Sequence, residues 1–349
     1  MKIRFFFLFI LILLSGCKKK QSEPNNYSLQ ISENLYFTET DTKLVIHSGK
    51  FKTEIKKSDL PLKKIVLLSS SLTGYIVELG GESRVTAIAS PEYIYSEKIT
   101  GMLNSGKIQV VGNEQKYDLE KIIALKPDAV ITNYIEIFEN SYRILRENGI
   151  RIIFLDEYRE SDPLIKSAYL KVFGKLFSQE KLADSVFAEV RKNYAIYKNA
   201  ASKANNKPKI IANEMYGNQW FMPGGKTFAA KYFKDANADY FLKNNDETRS
   251  IPLSFEQVFS EGSNAEVWVN AGNHRNKKEL LAANPNYARL EVFQRGRVYT
   301  IGKRQRAKAN DYFESGAVRA DLVLRDYVKI FHPELFPNDS LVYMQKISD

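Results

Sequence analysis

The sequence is almost free of cysteine. Its single thiol, Cys17, has no partner for an internal disulfide and excludes a multi-cysteine metal site. Histidine is nearly as scarce: only His47, His274 and His332 occur in 349 residues. None has the spacing of a helical metal-ligand pair, and no Gly-x-Ser-x-Gly nucleophile elbow is present. The run Pro223-Gly224-Gly225-Lys226-Thr227 lacks the glycine-to-lysine spacing of a phosphate loop, so it is expected to be a turn that opens a helix. Carboxylates are plentiful, but no two of them stand out as an acid–base couple. An enzyme therefore has little to be built on, and no catalytic residue, cofactor or protein metal ligand is expected. Also missing after residue 14 is any run of the roughly 20 apolar residues that cross a bilayer. The net charge of +10 is spread over 51 basic and 41 acidic residues. No basic stripe or basic-aromatic recognition motif emerges, so the charge reads as solvated faces and not as a nucleic-acid surface.

What is present begins at the amino terminus. Lys2 and Arg4 precede the apolar run FFFLFILILL, followed by Ser15, Gly16 and Cys17. This is a secretory signal whose apolar core is too short to span a membrane as a mature helix. The small pair before cysteine resembles a bacterial lipobox, which implies cleavage after residue 16 and lipidation of Cys17. Several acyl chains on one residue anchor stably where one would be marginal. Residues 17–26, including KKKQSEPNN, then form a polar tether, and the remainder is expected to be periplasmic, held to a membrane by Cys17.

At this length, two domains are the default, since single domains typically hold roughly 100–150 residues. Residues 27–60 alternate apolar and polar positions as short antiparallel strands do. From 61 to 160, strand and helix patterns alternate, predicting a mainly parallel sheet covered on both faces. Residues 161–205 carry only helical spacing, with Ser178 expected to cap a long helix after Phe177. Alternation resumes over 206–349: a helix over TFAAKYFKDANADY, a strand over RVYTIG and a closing helix over ESGAVRADLVLRDYVKIF. The fold expected is α/β, two Rossmann-like lobes with mainly parallel sheets joined by a long connector helix, preceded by a small β extension.

One segment occurs twice. Residues 117–133 read YDLEKIIALKPDAVITN and residues 253–270 read LSFEQVFSEGSNAEVWVN, in register after one inserted residue. Asp118 matches Ser254, Glu120 matches Glu256, and Asn133 matches Asn270. Each copy runs from a capping residue through a short amphipathic helix into an apolar strand. Ligands of open α/β sheets bind at the carboxyl ends of strands. That rule selects Asn270 and the loop aromatics Tyr93, Tyr95, Tyr134, Tyr216 and Trp220, which together favour a large, partly apolar ligand. Arg249, Arg304 and Arg306 stand where they could pair with anionic groups of it. Glu120 and Glu256 each fall in a helix's first turn, where the macrodipole favours a carboxylate. Their recurrence places a matched pair of acids on the two lobes, suited to a two-fold partner with basic sockets.

The lipobox, the motif DLEKIIALKPDAVIT, its weaker echo LSFEQVF and the helical connector together resemble the substrate-binding proteins of ABC importers for iron–siderophore complexes, haem and cobalamin. The likeness covers about residues 61–335. It implies a monomer that captures a metal chelate, an iron–siderophore first and cobalamin or haem next, and delivers it to an ABC permease homodimer or pseudo-dimer with its ATPase. It also implies that Glu120 and Glu256 dock on permease arginines. The 27–60 extension is not part of that family's common core. A lipid-anchored sensor or adaptor without transport would share the same cleft, and an anchored hydrolase is the more distant alternative.

Overall fold

The computed structural model describes residues 27–349; the signal, Cys17 and the tether lie outside the described residues. The strands Tyr27–Gln30, Leu35–Glu39, Lys43–Ser48 and Phe51–Lys56 form an antiparallel meander paired in chain order. Its last connection is the two-residue turn Gly49-Lys50, with Gly49 at φ +54°, a left-handed conformation natural to glycine. The meander does not stand apart. Leu35, Phe37, Leu44, Ile46 and Ile55 join Ile65 and Leu67 in one buried cluster, so the extension is a cover for the first lobe.

The first lobe is a five-stranded, wholly parallel sheet. Its order is Gln109–Val110, Val85–Ile88, Ile65–Leu67, Ala129–Thr132, Ile152–Phe154. Side chains of a strand alternate between faces, and here both faces are buried. Ile65 and Leu67 point into the cluster shared with the extension and the connector, while Val66 points into another that holds Tyr142, Leu145 and Phe154.

The connector contains three helices: Pro163–Ala168, Leu170–Phe177 and Glu180–Ala201. Ser178 does not cap the long helix. At φ +54° it is the left-handed residue that ends the preceding one. The long helix has 22 residues, about 33 Å at 1.5 Å per residue. Ala183 belongs to the first lobe's core, and Val190, Tyr194 and Ala201 to the second's. It therefore spans both.

In the second lobe, Lys209–Ala212 pairs in parallel with Asp239–Tyr240 on one side and Val267–Val269 on the other. A parallel bridge from Trp268 to Val298 leads on to Tyr299–Thr300, which pairs antiparallel with Gln345–Lys346 of the tail. Three sequence expectations change here. The helix begun at Thr227 stops at Asp235, and Asp239–Tyr240 is a strand. Met215–Tyr216, Gln219–Pro223 and Ser250–Leu253 form an unforeseen antiparallel sheet. The closing helix breaks at Arg319 into Ser315–Val318 and Ala320–Phe331, and Val318 of the first piece is buried in the first lobe's core. The glycine turn is as expected: Thr227 accepts the Ala230 amide at 3.2 Å, and a Cβ on Gly225 would fall 2.3 Å from the Asn245 carbonyl oxygen.

Candidate functional site between the lobes

Strand order reverses in each sheet next to the first strand of the lobe, and loops diverge there to leave a crevice. In the first lobe that point is held by Asn133. Its Oδ1 accepts from Ser69 Oγ at 2.6 Å, and its Nδ2 donates to the Leu155 carbonyl at 2.5 Å and to Glu157 Oε2 at 2.8 Å. In the second lobe the matching strand ends at Asn270, whose φ of +55° turns the chain and whose Oδ1 accepts from the Tyr327 hydroxyl at 3.0 Å. Beside it, His274 Nε2 lies 2.7 Å from Glu214 Oε2. That hydrogen bond raises the imidazole's pKa against the opposing effect of burial. Gly272 makes the pair possible, since a Cβ there would stand 2.0 Å from Glu214 Oε1.

A cavity of about 260 Å³ opens between the lobes. Glu157 and Tyr158 line it from the first lobe, Lys166 from the connector, and Phe228, Tyr312 and Phe313 from the second lobe. Glu157 is 1% exposed, and burial pushes its carboxyl above the usual range. The Lys166 ammonium sits 4.1 Å from the centre of the Phe228 ring, and burial pushes it down, offset in part by the Glu157 charge. Tyr158 and Phe313 are half exposed at the mouth. Aromatic walls with one cation and one carboxylate suit a partly apolar ligand that carries charge.

Next to this cavity the lobes touch directly. Arg304 and Arg306 of the second lobe stand over the Tyr95 ring of the first, with guanidinium carbons 5.6 Å and 4.6 Å from its centre. Lys308 stands 5.7 Å from the Tyr93 ring, and Arg306 also pairs with Glu97. Arg304 is held from behind by Asp311 at 2.9 Å. Buried Glu314 crosses the interface to accept the Tyr95 amide at 2.7 Å. Burial, with the Asp311 charge adding, pushes its carboxyl up to about 7, although the hydrogen bond from the Tyr95 amide acts the other way. At the far side Arg319 joins three elements, reaching Glu78 of the first lobe (3.6 Å), Glu189 of the long helix (3.1 Å) and Asp321 (2.8 Å).

Four of the residues expected at the site, Tyr93, Tyr95, Arg304 and Arg306, are thus brought together, but against each other. The remainder are dispersed. Tyr134 lies under the extension, with Lys50 Nζ 4.5 Å from its ring centre. Tyr216 is 84% exposed on a hairpin, and Arg249 is exposed beside the strand Ser250–Leu253. Trp220 requires a correction. Expected on a cleft loop, it is 0% exposed and packs on Trp268, Tyr287 and Phe255, with its indole N–H donated to the Ala212 carbonyl at 2.9 Å. It sits on a strand, Gln219–Pro223, whose Trp220 and Met222 face the core and whose Phe221 faces out. The cavity's own Phe228, Tyr312, Phe313, Tyr158 and Lys166 were not among the expected residues. The aromatic pair Tyr312-Phe313 just ahead of the closing helix was the available signal.

Glu120 and Glu256 are exposed in the first turns of Leu119–Leu125 and Phe255–Gly262. Asp118 caps the first helix, accepting the Lys121 amide at 3.0 Å, and Ser254 with Gln257 forms a reciprocal capping box on the second. Each helix runs back along a parallel sheet, so its first turn lies at the strands' carboxyl edge. Among the described residues no group of three or more His, Cys, Asp or Glu is placed to hold a metal, and no helix is long and apolar enough to cross a membrane.

Comparison with known proteins agrees with this architecture. An uncharacterized lipoprotein of Methanocaldococcus jannaschii is 26% identical over 292 residues, covering 80% of this chain and 68% of that protein. A periplasmic heme binding protein of Pseudomonas aeruginosa shares the fold with a TM-score of 0.61 at 18% identity, covering 82% of this chain and 99% of its own. A protein of an ABC-type Fe3+-hydroxamate transport system from Saccharomonospora viridis also has a TM-score of 0.61 at 18% identity, covering 81% and 96%. The sequence profile of the periplasmic binding proteins matches residues 65–305, and the chain belongs to that family.

Proposed function

We propose that this protein is the substrate-binding lipoprotein of an ABC importer, which captures a metal chelate between its lobes and hands it to a membrane permease. The observation that carries this reading is the aromatic cavity between two lobes, each of which presents an exposed glutamate on an equivalent helix start. An iron–siderophore is the first choice of cargo, with haem and cobalamin next. Solved structures named for haem and for Fe3+-hydroxamate transport support a chelate of this class. Iron or cobalt that arrives already chelated needs few ligands from the protein.

The cavity of about 260 Å³ is smaller than the roughly 300–1,000 Å³ of ordinary small-molecule sites. Loading therefore requires the lobes to part, which separates Tyr95 from Arg304 and Arg306 and releases these groups to the ligand. Titration calorimetry with a ferric hydroxamate, a ferric catecholate, haem and cyanocobalamin tests the reading. One of these binds in the micromolar range or tighter; failure of all four removes the chelate assignment. Cys17 anchors the protein by lipid, so Cys17→Ala releases it from membranes into the soluble fraction. Continued membrane fractionation of that variant would refute the anchor.

A further inference from the structure

The extension and the first lobe enclose a second cavity, of about 410 Å³. Half of its lining, including Lys50 and Phe51 of the hairpin, precedes residue 65, where the family match begins. That half lies outside the stretch the family profile matches. The other half comes from the loop after Ile152–Phe154 and from Tyr134 and Tyr169. Neighbouring residues of that loop serve different spaces: Glu157 and Tyr158 face the cavity between the lobes, while Asp156, Arg159 and Glu160 line this one.

The charges are graded by depth. Lys50 and Arg159 are exposed at the mouth, Asp156 is half buried, and Glu160 lies deepest at 9% exposure. Glu160 Oε1 accepts the Tyr169 hydroxyl at 2.8 Å, and among the described residues no lysine or arginine lies within ion-pair distance of it. Burial, and then the Glu160 charge, push the Tyr169 hydroxyl far up, so it stays a donor. A nearly buried carboxylate without a cation is costly, and cavities that contain one are suited to a cationic group. The aromatic side is supplied by Phe51 and Tyr134, with ring centres 4.7 Å apart. Lys50 Nζ stands over both of them, 5.2 Å and 4.5 Å from the centres, which holds a cation beside the aromatic wall.

We propose that this cavity is a second ligand site, distinct from the space between the lobes, for a small zwitterion of the amino-acid class. Its ammonium enters toward Glu160 and Asp156, its side chain lies along Phe51 and Tyr134, and its carboxylate remains at the mouth with Lys50 and Arg159. The order of charges along the cavity is the order of charges along such a molecule. The site does not depend on the identity of the chelate.

Calorimetry on the mature protein with L-phenylalanine and L-lysine, against phenethylamine and 3-phenylpropionate, tests this. At least one amino acid binds, and each single-charge analogue binds about tenfold more weakly or worse, as loss of one charged hydrogen-bonding group predicts. Glu160→Gln keeps an acceptor for Tyr169 but removes the charge, and it weakens amino-acid binding by about tenfold or more. Lys50→Met, at an exposed position that leaves the fold intact, weakens binding of the amino acid but not of phenethylamine. The proposal is overturned if no member of the panel binds the wild-type protein at millimolar concentration. It is equally overturned if binding survives both substitutions unchanged, or is lost instead in Phe228→Ala, which would put the ligand between the lobes.

Discussion

The two copies of the repeated segment share a frame and differ in how they are held. In both, a capped helix presents one exposed glutamate in its first turn and leads to a strand that ends in asparagine. The first asparagine is fixed by Ser69, Leu155 and Glu157, all neighbours within its own sheet edge. The second turns left-handed and is fixed by Tyr327 from the closing helix. Around them the first lobe builds a core of aliphatic strands covered by the extension, whereas the second relies on paired indoles and an added antiparallel sheet. What faces outward is alike in the two halves, and what faces inward is solved separately. This is the pattern expected if an external, two-fold partner reads both halves.

The largest effect should come from breaking the outward likeness. Charge reversal at both positions, Glu120→Arg with Glu256→Arg, should abolish cellular uptake of the ligand while calorimetric affinity stays at the wild-type value. Normal uptake by the double variant would remove the docking role and leave the likeness as helix-end electrostatics alone. Next comes the inward difference. Trp220→Ala in the second lobe should cost about 3–5 kcal/mol in urea unfolding, as a large cavity is left in a closed core. A loss below about 1 kcal/mol would mean that the indole pair is not what holds this lobe.

The smallest effect concerns the seam between the halves. Glu314 has a carboxyl raised from 4.5 to about 7, so the folded state holds a proton that the unfolded state releases earlier. Its favourable contribution is complete below pH 4.5, is lost as pH rises through the window to about 7, and then stays level, a total of up to ~3 kcal/mol. Unfolding free energies at pH 5 and pH 8 should therefore differ less in Glu314→Gln than in the wild type. An equal difference in the two proteins would show that this carboxyl does not carry the pH dependence of the seam.

Much of this was legible in the amino-acid sequence because it is local. Caps at Asp118, Ser254 and Thr227, strand runs such as Ala129–Thr132, and the alternation of the extension depend on near neighbours. The site was less legible because it is made by tertiary packing. Phe228 and Lys166 lie on short helices whose cavity-facing side is set by how three elements meet, not by their own spacing. Tyr95, Arg304 and Arg306 were found, but nothing in the chain reveals that two loops more than 200 residues apart close on each other. Trp220 misled because Met215–Tyr216 and Gln219–Pro223 are short strands around a turn at Gly217, with too few residues to display alternation.

The helix Glu180–Ala201 has a consequence for how the chain acquires its structure. Its amino end is packed among the side chains of one half and its remaining length among those of the other, while Val318 returns from the second half into the first. The first half cannot complete its interior from its own contiguous stretch of chain, whereas the buried core of the second runs from Val190 to Ile347. The first must wait for a residue some 160 positions beyond its last strand, and that wait ties its assembly to that of the second. A chain that emerges amino end first from the ribosome would thus leave its first half open until nearly all of it has been made.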